Sequence, residues 1–150
     1  MRPTLAAMIL AAVMILALAL GSGPAAAGPP YPATLYKDPE CGCCETYADY
    51  LRANGFEVAV SPTDELAAMK RQYGVPGALE GCHTVLVAGY VIEGHVPIGA
   101  VLRMLTERPA IKGISLPGMP AGSPGMPGAK AGPFTIFQFG GAEPKVYAIE

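Results

Sequence analysis

Three cysteines fall within four positions, Cys41-Gly42-Cys43-Cys44, and a fourth, Cys82, stands immediately before His83. Thiols in this arrangement support three kinds of chemistry. A Cys-x-x-Cys pair, here Cys41 with Cys44, can cycle between dithiol and disulfide. Thiolates joined by the imidazoles of His83 and His95 can hold a metal ion. The same residues can also be oxidised into structural disulfides, the plain reading of an even cysteine count in an exported chain. A bond between the neighbours Cys43 and Cys44 would be strained, so full oxidation pairs Cys41 with Cys44 and Cys43 with Cys82. Met119 and Met126 recur in a repeated Pro-Gly-Met-Pro unit. They are either soft thioether donors or flexible apolar packing.

The elements that must position these groups follow from the patterning. Pro32 to Tyr36 is a short apolar, β-compatible stretch, and Asp38-Pro39-Glu40 then turns the chain into the cysteines. From Cys43, the spacing of Tyr47, Tyr50 and Leu51 predicts a helix that stops at Asn54-Gly55. Phe56 to Val60 alternates as a second strand, and Ser61-Pro62-Thr63-Asp64 opens a helix to about Tyr73, with Leu66, Met69 and Tyr73 on one face. His83 to Val87 and Tyr90 to Glu93 form a hairpin turning at Ala88-Gly89. Pro97 then introduces a third helix to about Arg108. The order β-α-β-α-β-β-α predicts a small α/β domain with helices over a mixed sheet, in the order of the thioredoxin fold.

Residues 109–133 form a Gly/Pro/Met-rich loop, and 134–150 read as a closing hairpin around Gly140-Gly141. A loop tethered at both ends can be held against the domain. With the strand of His83 antiparallel to the first strand, Cys41, Cys43, Cys44, Cys82, His83 and His95 collect at one end of the sheet. The start of the helix favours thiolates there. Asp38, Glu40 and Glu45 oppose that and favour a bound cation.

The N-terminus bears on the redox compartment. Arg2, the apolar run Leu5 to Leu20 and the small residues Ala25-Ala26-Ala27 have the layout of a secretory leader over residues 1–27. The run is shorter than the roughly 20 residues that span a bilayer, so an uncleaved leader is at most a loose anchor. Residues 28–150 then make one domain, exported to the periplasm, where disulfides persist. The chain carries a net charge of −2 with no basic stripe, which argues against nucleic acid as a partner.

The stretches "YKDPECGCCETYADYLRANGFEV", "GVPGALEGCHTVLVAGYVIEGHVPIGAVLRML" and "LPGMPAGSPGM" resemble the CopG family of exported thioredoxin-like proteins associated with bacterial copper resistance. The resemblance covers most of residues 28–150. It implies a thioredoxin-like fold and copper handling in the periplasm. It carries the Cys-x-Cys-Cys ligands onto Cys41, Cys43 and Cys44, the later cysteine onto Cys82, and the Gly-His element onto His95.

The chemistry of the residues bears on the same question. Thioredoxin-like oxidoreductases usually place a cis-proline before the third strand, and here Cys82-His83 stands in that position. Soft thiolates favour Cu(I), and bridging thiolates allow a multinuclear cluster. The expectation is a Cu(I)-binding protein with metal residues Cys41, Cys43, Cys44, Cys82, His83, His95, Met119 and Met126. Its partners would be copper ions and periplasmic copper carriers or efflux components. The alternatives are a thiol-disulfide oxidoreductase working through Cys41 and Cys44, and a zinc-stabilised interaction module.

Overall fold

The computed structural model describes residues 30–150, so the leader expected over 1–27 lies outside the described residues. Seven strands form one mixed sheet in the order β2-β1-β3-β4-β5-β6-β7. They are β1 (Tyr31–Lys37), β2 (Phe56–Pro62), β3 (His83–Val87), β4 (Tyr90–Gly94), β5 (Gly113–Leu116), β6 (Thr135–Phe139) and β7 (Lys145–Ile149). Among the described residues three α-helices accompany them: α1 (Gly42–Ala53), α2 (Leu66–Gln72) and α3 (Ile98–Glu107). The expected α/β domain with a mixed sheet is what the chain forms. Among the described residues no helix is long and apolar enough to cross a membrane.

Helix α1 buries Cys44, Tyr47, Ala48 and Leu51, the i, i+3, i+4, i+7 stripe that makes one face of a helix apolar. Helix α3 buries Ala100, Val101, Met104 and Leu105, and ends where Arg108 turns left-handed before Pro109. These two stripes pack with Leu35, Val85, Ile92, Ile114 and Ile136 into the main core. Alternation along the strands sends the next residues to the other face. There Val75, Leu79, Val91 and Phe139 form a smaller core beyond α2.

Strand β1 runs parallel to β2 and antiparallel to β3. The end of β1, the start of α1 and the start of β3 therefore meet at one edge, with Lys37 opposite His83. The β3-β4 connection turns at Ala88 (φ 49°) and Gly89 (φ 86°), the two left-handed positions of a tight hairpin turn. Strand β4 thus returns to the same edge and delivers His95.

Two details depart from expectation. Ser61 and Pro62, expected at a helix start, extend β2 alongside Tyr36 and Lys37. Pro62 is tolerated because β2 is an edge strand and has no outer neighbour needing its missing N–H. Residues 109–133 are not all loop. Gly113–Leu116 is a fully buried strand joined in parallel to β4 and antiparallel to β6. Without it, β6 and β7 would have no sheet to extend.

Candidate metal centre

The edge where β1, α1, β3 and β4 converge brings four cysteines and two imidazoles together. Two ligand groups have donor atoms within 4.8 Å of one another: Cys41, Cys43, Cys44 and Cys82, and Cys82, His83 and His95. Cys82 belongs to both. Cys41 and Cys44 are joined as a disulfide, while Cys43 and Cys82 are free. Cys43 Sγ lies 3.5 Å from Cys41 Sγ and 3.9 Å from Cys82 Sγ. The bonded pair and the adjacent pair are those that full oxidation was expected to select.

Cys82 sits between imidazoles, with Sγ 3.0 Å from His95 Nε2 and 3.3 Å from His83 Nδ1. His95 Nδ1 is 2.7 Å from the Pro124 carbonyl oxygen. That oxygen can only accept, so Nδ1 carries the proton and the Nε2 lone pair faces Cys82. His83 Nε2 is buried without a hydrogen-bond partner. It is the other ring nitrogen, Nδ1, that faces the Cys82 thiol, so the unpartnered atom lies outside the thiol contact.

The Gly/Pro/Met loop is fastened over this cluster. Besides the Pro124 contact, Gly125 (φ +82°) lies so close to α1 that a Cβ there would be 2.9 Å from Tyr47 N and 3.2 Å from Cys43 O. Only glycine meets both the backbone angle and the clearance. Met126 lines an open pocket of about 630 Å³ together with Cys43, Thr46, Gly125 and Pro127. Met119, expected beside it, is 41% exposed and does not line that pocket.

A family described as "Protein of unknown function, DUF411" matches residues 79–126. Two solved structures, "Copper resistance protein copG" in form 2 and form 1, are each 35% identical to this chain. Each alignment covers 81% of this chain and 98% of the solved one, with TM-scores of 0.75 and 0.74. The chain belongs to the CopG family. Comparison with curated proteins gives no match.

Within this member of the family, electrostatics sets the resting state of the centre. Burial, and then the neighbouring Cys43 thiol, push the Cys82 thiol up to about 12. Cys82 is therefore protonated at neutral pH, and the free Nε2 of His95, 3.0 Å away, is an acceptor within reach of its S–H. Any metal taken up here displaces that proton. Burial holds His83 well below the usual imidazole range, with the positive end states of His95 and Lys70 adding to it. Burial also lowers His95, against the pull of the Pro124 carbonyl. Both imidazoles are thus neutral at pH 7.

Two of the carboxylates near the cysteine motif have partners other than the thiols. Glu45 pairs with Lys37 at 3.3 Å, and Asp38 Oδ1 accepts from Glu40 N at 2.9 Å. Lys37, only 3% exposed, was missed as a site residue. Its Nζ donates to the carbonyls of Asp38, Pro39 and Cys41 at 3.1, 3.0 and 3.3 Å, wrapping the turn that carries Cys41. Tyr47 was read as packing alone. It is fully buried, and its ring lies 4.6 Å from His83 and 5.3 Å from His95, while its hydroxyl donates to Val96 O at 2.8 Å.

Proposed function

We propose that the chain is an exported, thioredoxin-like Cu(I)-binding protein of copper resistance. In this reading residues 1–27 are a secretory leader, the protein works in the periplasm, and copper carriers or efflux components are its partners. Cys43, Cys82 and the reduced pair Cys41 and Cys44 supply thiolates, and His83 and His95 supply neutral nitrogens. Met126 offers a thioether at the mouth, beside Cys43. A set dominated by sulfur selects Cu(I) over harder ions, and the thiolates stand close enough to bridge more than one copper ion. The observation that carries the reading is Cys82, held between Cys43 and two neutral imidazoles whose facing nitrogens, His95 Nε2 and His83 Nδ1, lie 3.0 and 3.3 Å from its sulfur.

Oxidation of Cys41 and Cys44 removes two thiolates from the set, so copper occupancy and redox state are linked. That bond, formed at the start of a helix, also favours a second reading, a thiol-disulfide oxidoreductase.

The deciding experiment is an anaerobic Cu(I) titration of the fully reduced protein against a competing chelator, counting free thiols and bound metal at each point. Binding that protects all four thiols and is weakened by Cys82→Ser supports the copper reading. Thiols that stay free, together with turnover of a model disulfide that Cys41→Ser abolishes, would replace it with the oxidoreductase. Preference for zinc, with unfolding on chelation, would make the metal structural.

A further inference from the structure

Beneath the thiol cluster, on the far face of the sheet, lies a buried ionic network that the metal reading does not use. Lys70 on α2 is 3% exposed, and Glu93 on β4 and Thr84 on β3 are 0% exposed. Lys70 Nζ donates to Glu93 Oε1, and to Thr84 Oγ1 at 3.1 Å. Thr84 in turn donates to Glu93 Oε2 at 2.7 Å. Glu93 Oε1 also accepts from the backbone N–H of Gly81 at 2.7 Å. A buried ion pair adds little net stability, because desolvation offsets the attraction. What it does well is hold its partners in one geometry.

The partner it holds is the segment that carries Cys82. Gly81 crosses Gly94 so closely that a Cβ on Gly81 would come within 2.7 Å of Gly94 Cα. Each glycine precedes a donor: Gly81 leads into Cys82 and His83, and Gly94 into His95. The crossing of these two backbones is what sets Cys82 Sγ 3.0 Å from His95 Nε2. Among the described residues its side-chain fastening from below is the bond that the Gly81 N–H donates to Glu93. We propose that Glu93, itself fixed by Lys70 and Thr84, is a positioning residue that seats the Cys82 thiol against His95. The significance of this seat rests on the copper reading of Cys82, so the first readout is taken without metal, where the two can fail separately.

The test compares two double variants, Lys70→Met/Glu93→Leu and Lys70→Met/Glu93→Gln. The quantity read is the ratio of Cys82 to Cys43 alkylation by iodoacetamide, in metal-free protein with the Cys41–Cys44 bond intact. Apolar replacement of a buried pair is often neutral by itself, but here it leaves the Gly81 N–H and the Thr84 hydroxyl without their acceptor, so denaturant unfolding of every variant is measured alongside. The leucine variant releases Gly81, and its ratio is expected to rise about tenfold, in line with the cost of small misplacements. The glutamine variant still offers an acceptor to Gly81 N, and its ratio stays within about twofold of the parent. Thr84→Val, a milder loss of one Glu93 contact, raises the ratio about threefold and serves if the leucine variant does not fold. A ratio that follows unfolding free energy instead, or that is equal in the two double variants, overturns the proposal, as does an unchanged ratio in Thr84→Val. Cu(I) affinity of the leucine variant is then expected to fall about tenfold. If the parent binds no Cu(I), the copper reading fails while the ratio still decides the positioning role.

Discussion

Gly125→Ala tests whether the Gly/Pro/Met loop belongs to the centre or merely passes near it. At φ +82° an alanine is strained by about 1 kcal/mol. Gly118, at φ +78° with no atom within 4 Å of an added Cβ, carries the same strain and nothing else. It is the control. At Gly125 the new methyl would meet Tyr47 N at 2.9 Å and Cys43 O at 3.2 Å, both backbone atoms of α1 that cannot yield. The loop must instead lift by about half an ångström or more to reach ordinary contact. The adjacent Pro124 carbonyl moves with it, and its 2.7 Å bond from His95 Nδ1 loses much of roughly 1 kcal/mol. With residual crowding, loop opening in Gly125→Ala should be easier than in Gly118→Ala by about 1.4 kcal/mol, or tenfold. Native-state hydrogen exchange at the amides of Gly122, Ser123 and Met126 reads this directly, since they are bonded to Pro127, Pro120 and Ser123 carbonyls within the loop. Those amides should exchange about tenfold faster in Gly125→Ala than in Gly118→Ala, with the amides of α1 unchanged. Equal rates in the two variants would refute the reasoning.

Three further outcomes are expected. His83 and His95 are depressed in the folded state, so the unfolded chain takes up their protons first, and reduced metal-free protein loses stability as pH falls below about 6.5. Urea unfolding at several pH values should show a slope about 1.4 kcal/mol per pH unit steeper than in His95→Gln, a comparison that cancels the opposite-signed contribution of the raised Glu93; parallel slopes would contradict it. Lys37→Met strips a donor from the carbonyls of Asp38, Pro39 and Cys41 and should cost about 2–4 kcal/mol in denaturant unfolding, whereas a change below about 0.5 kcal/mol would mean the turn holds itself. Tyr47→Phe leaves the buried Val96 carbonyl without its donor and should destabilise by about 1 kcal/mol, measured the same way, and an unchanged midpoint would show that the hydroxyl is dispensable.

Much of the scaffold was legible because its elements are locally patterned. The spacing of Tyr47, Tyr50 and Leu51 announces α1, which buries Tyr47 and Leu51, and Ala88-Gly89 announces the hairpin. Once β3 is antiparallel to β1, the meeting of Cys82 with Cys43 follows from chain direction alone. What could not be read lies in long-range pairing. Strand β5 is four residues long, and its glycine and serine look like loop. It is a strand because β4 and β6 supply hydrogen bonds on both sides, and Gly113 admits the close approach of the Val91 carbonyl. Lys37 bonds carbonyls only one to four residues on, which no side-chain pattern marks, and Lys70 and Glu93 find each other across 23 residues. The reverse holds for Asp38 and Glu45, which share a motif with the thiols but bond elsewhere. Met119 has the same local sequence as Met126, and only the path of the loop separates them.

Cys43 and Cys44 are neighbours on a helix, where successive side chains diverge by about 100°. One consequence is a division of labour by angle. Cys44 turns into the core, bonded to Cys41, and Cys43 turns out to the pocket shared with Met126. Anyone transplanting the Cys-x-Cys-Cys motif onto another scaffold must therefore transplant its helical phase as well. A single residue deleted between Cys44 and Tyr47 would give Cys43 the buried phase that Cys44 now holds, and an unchanged roster of ligands would then present a different face to an arriving ion.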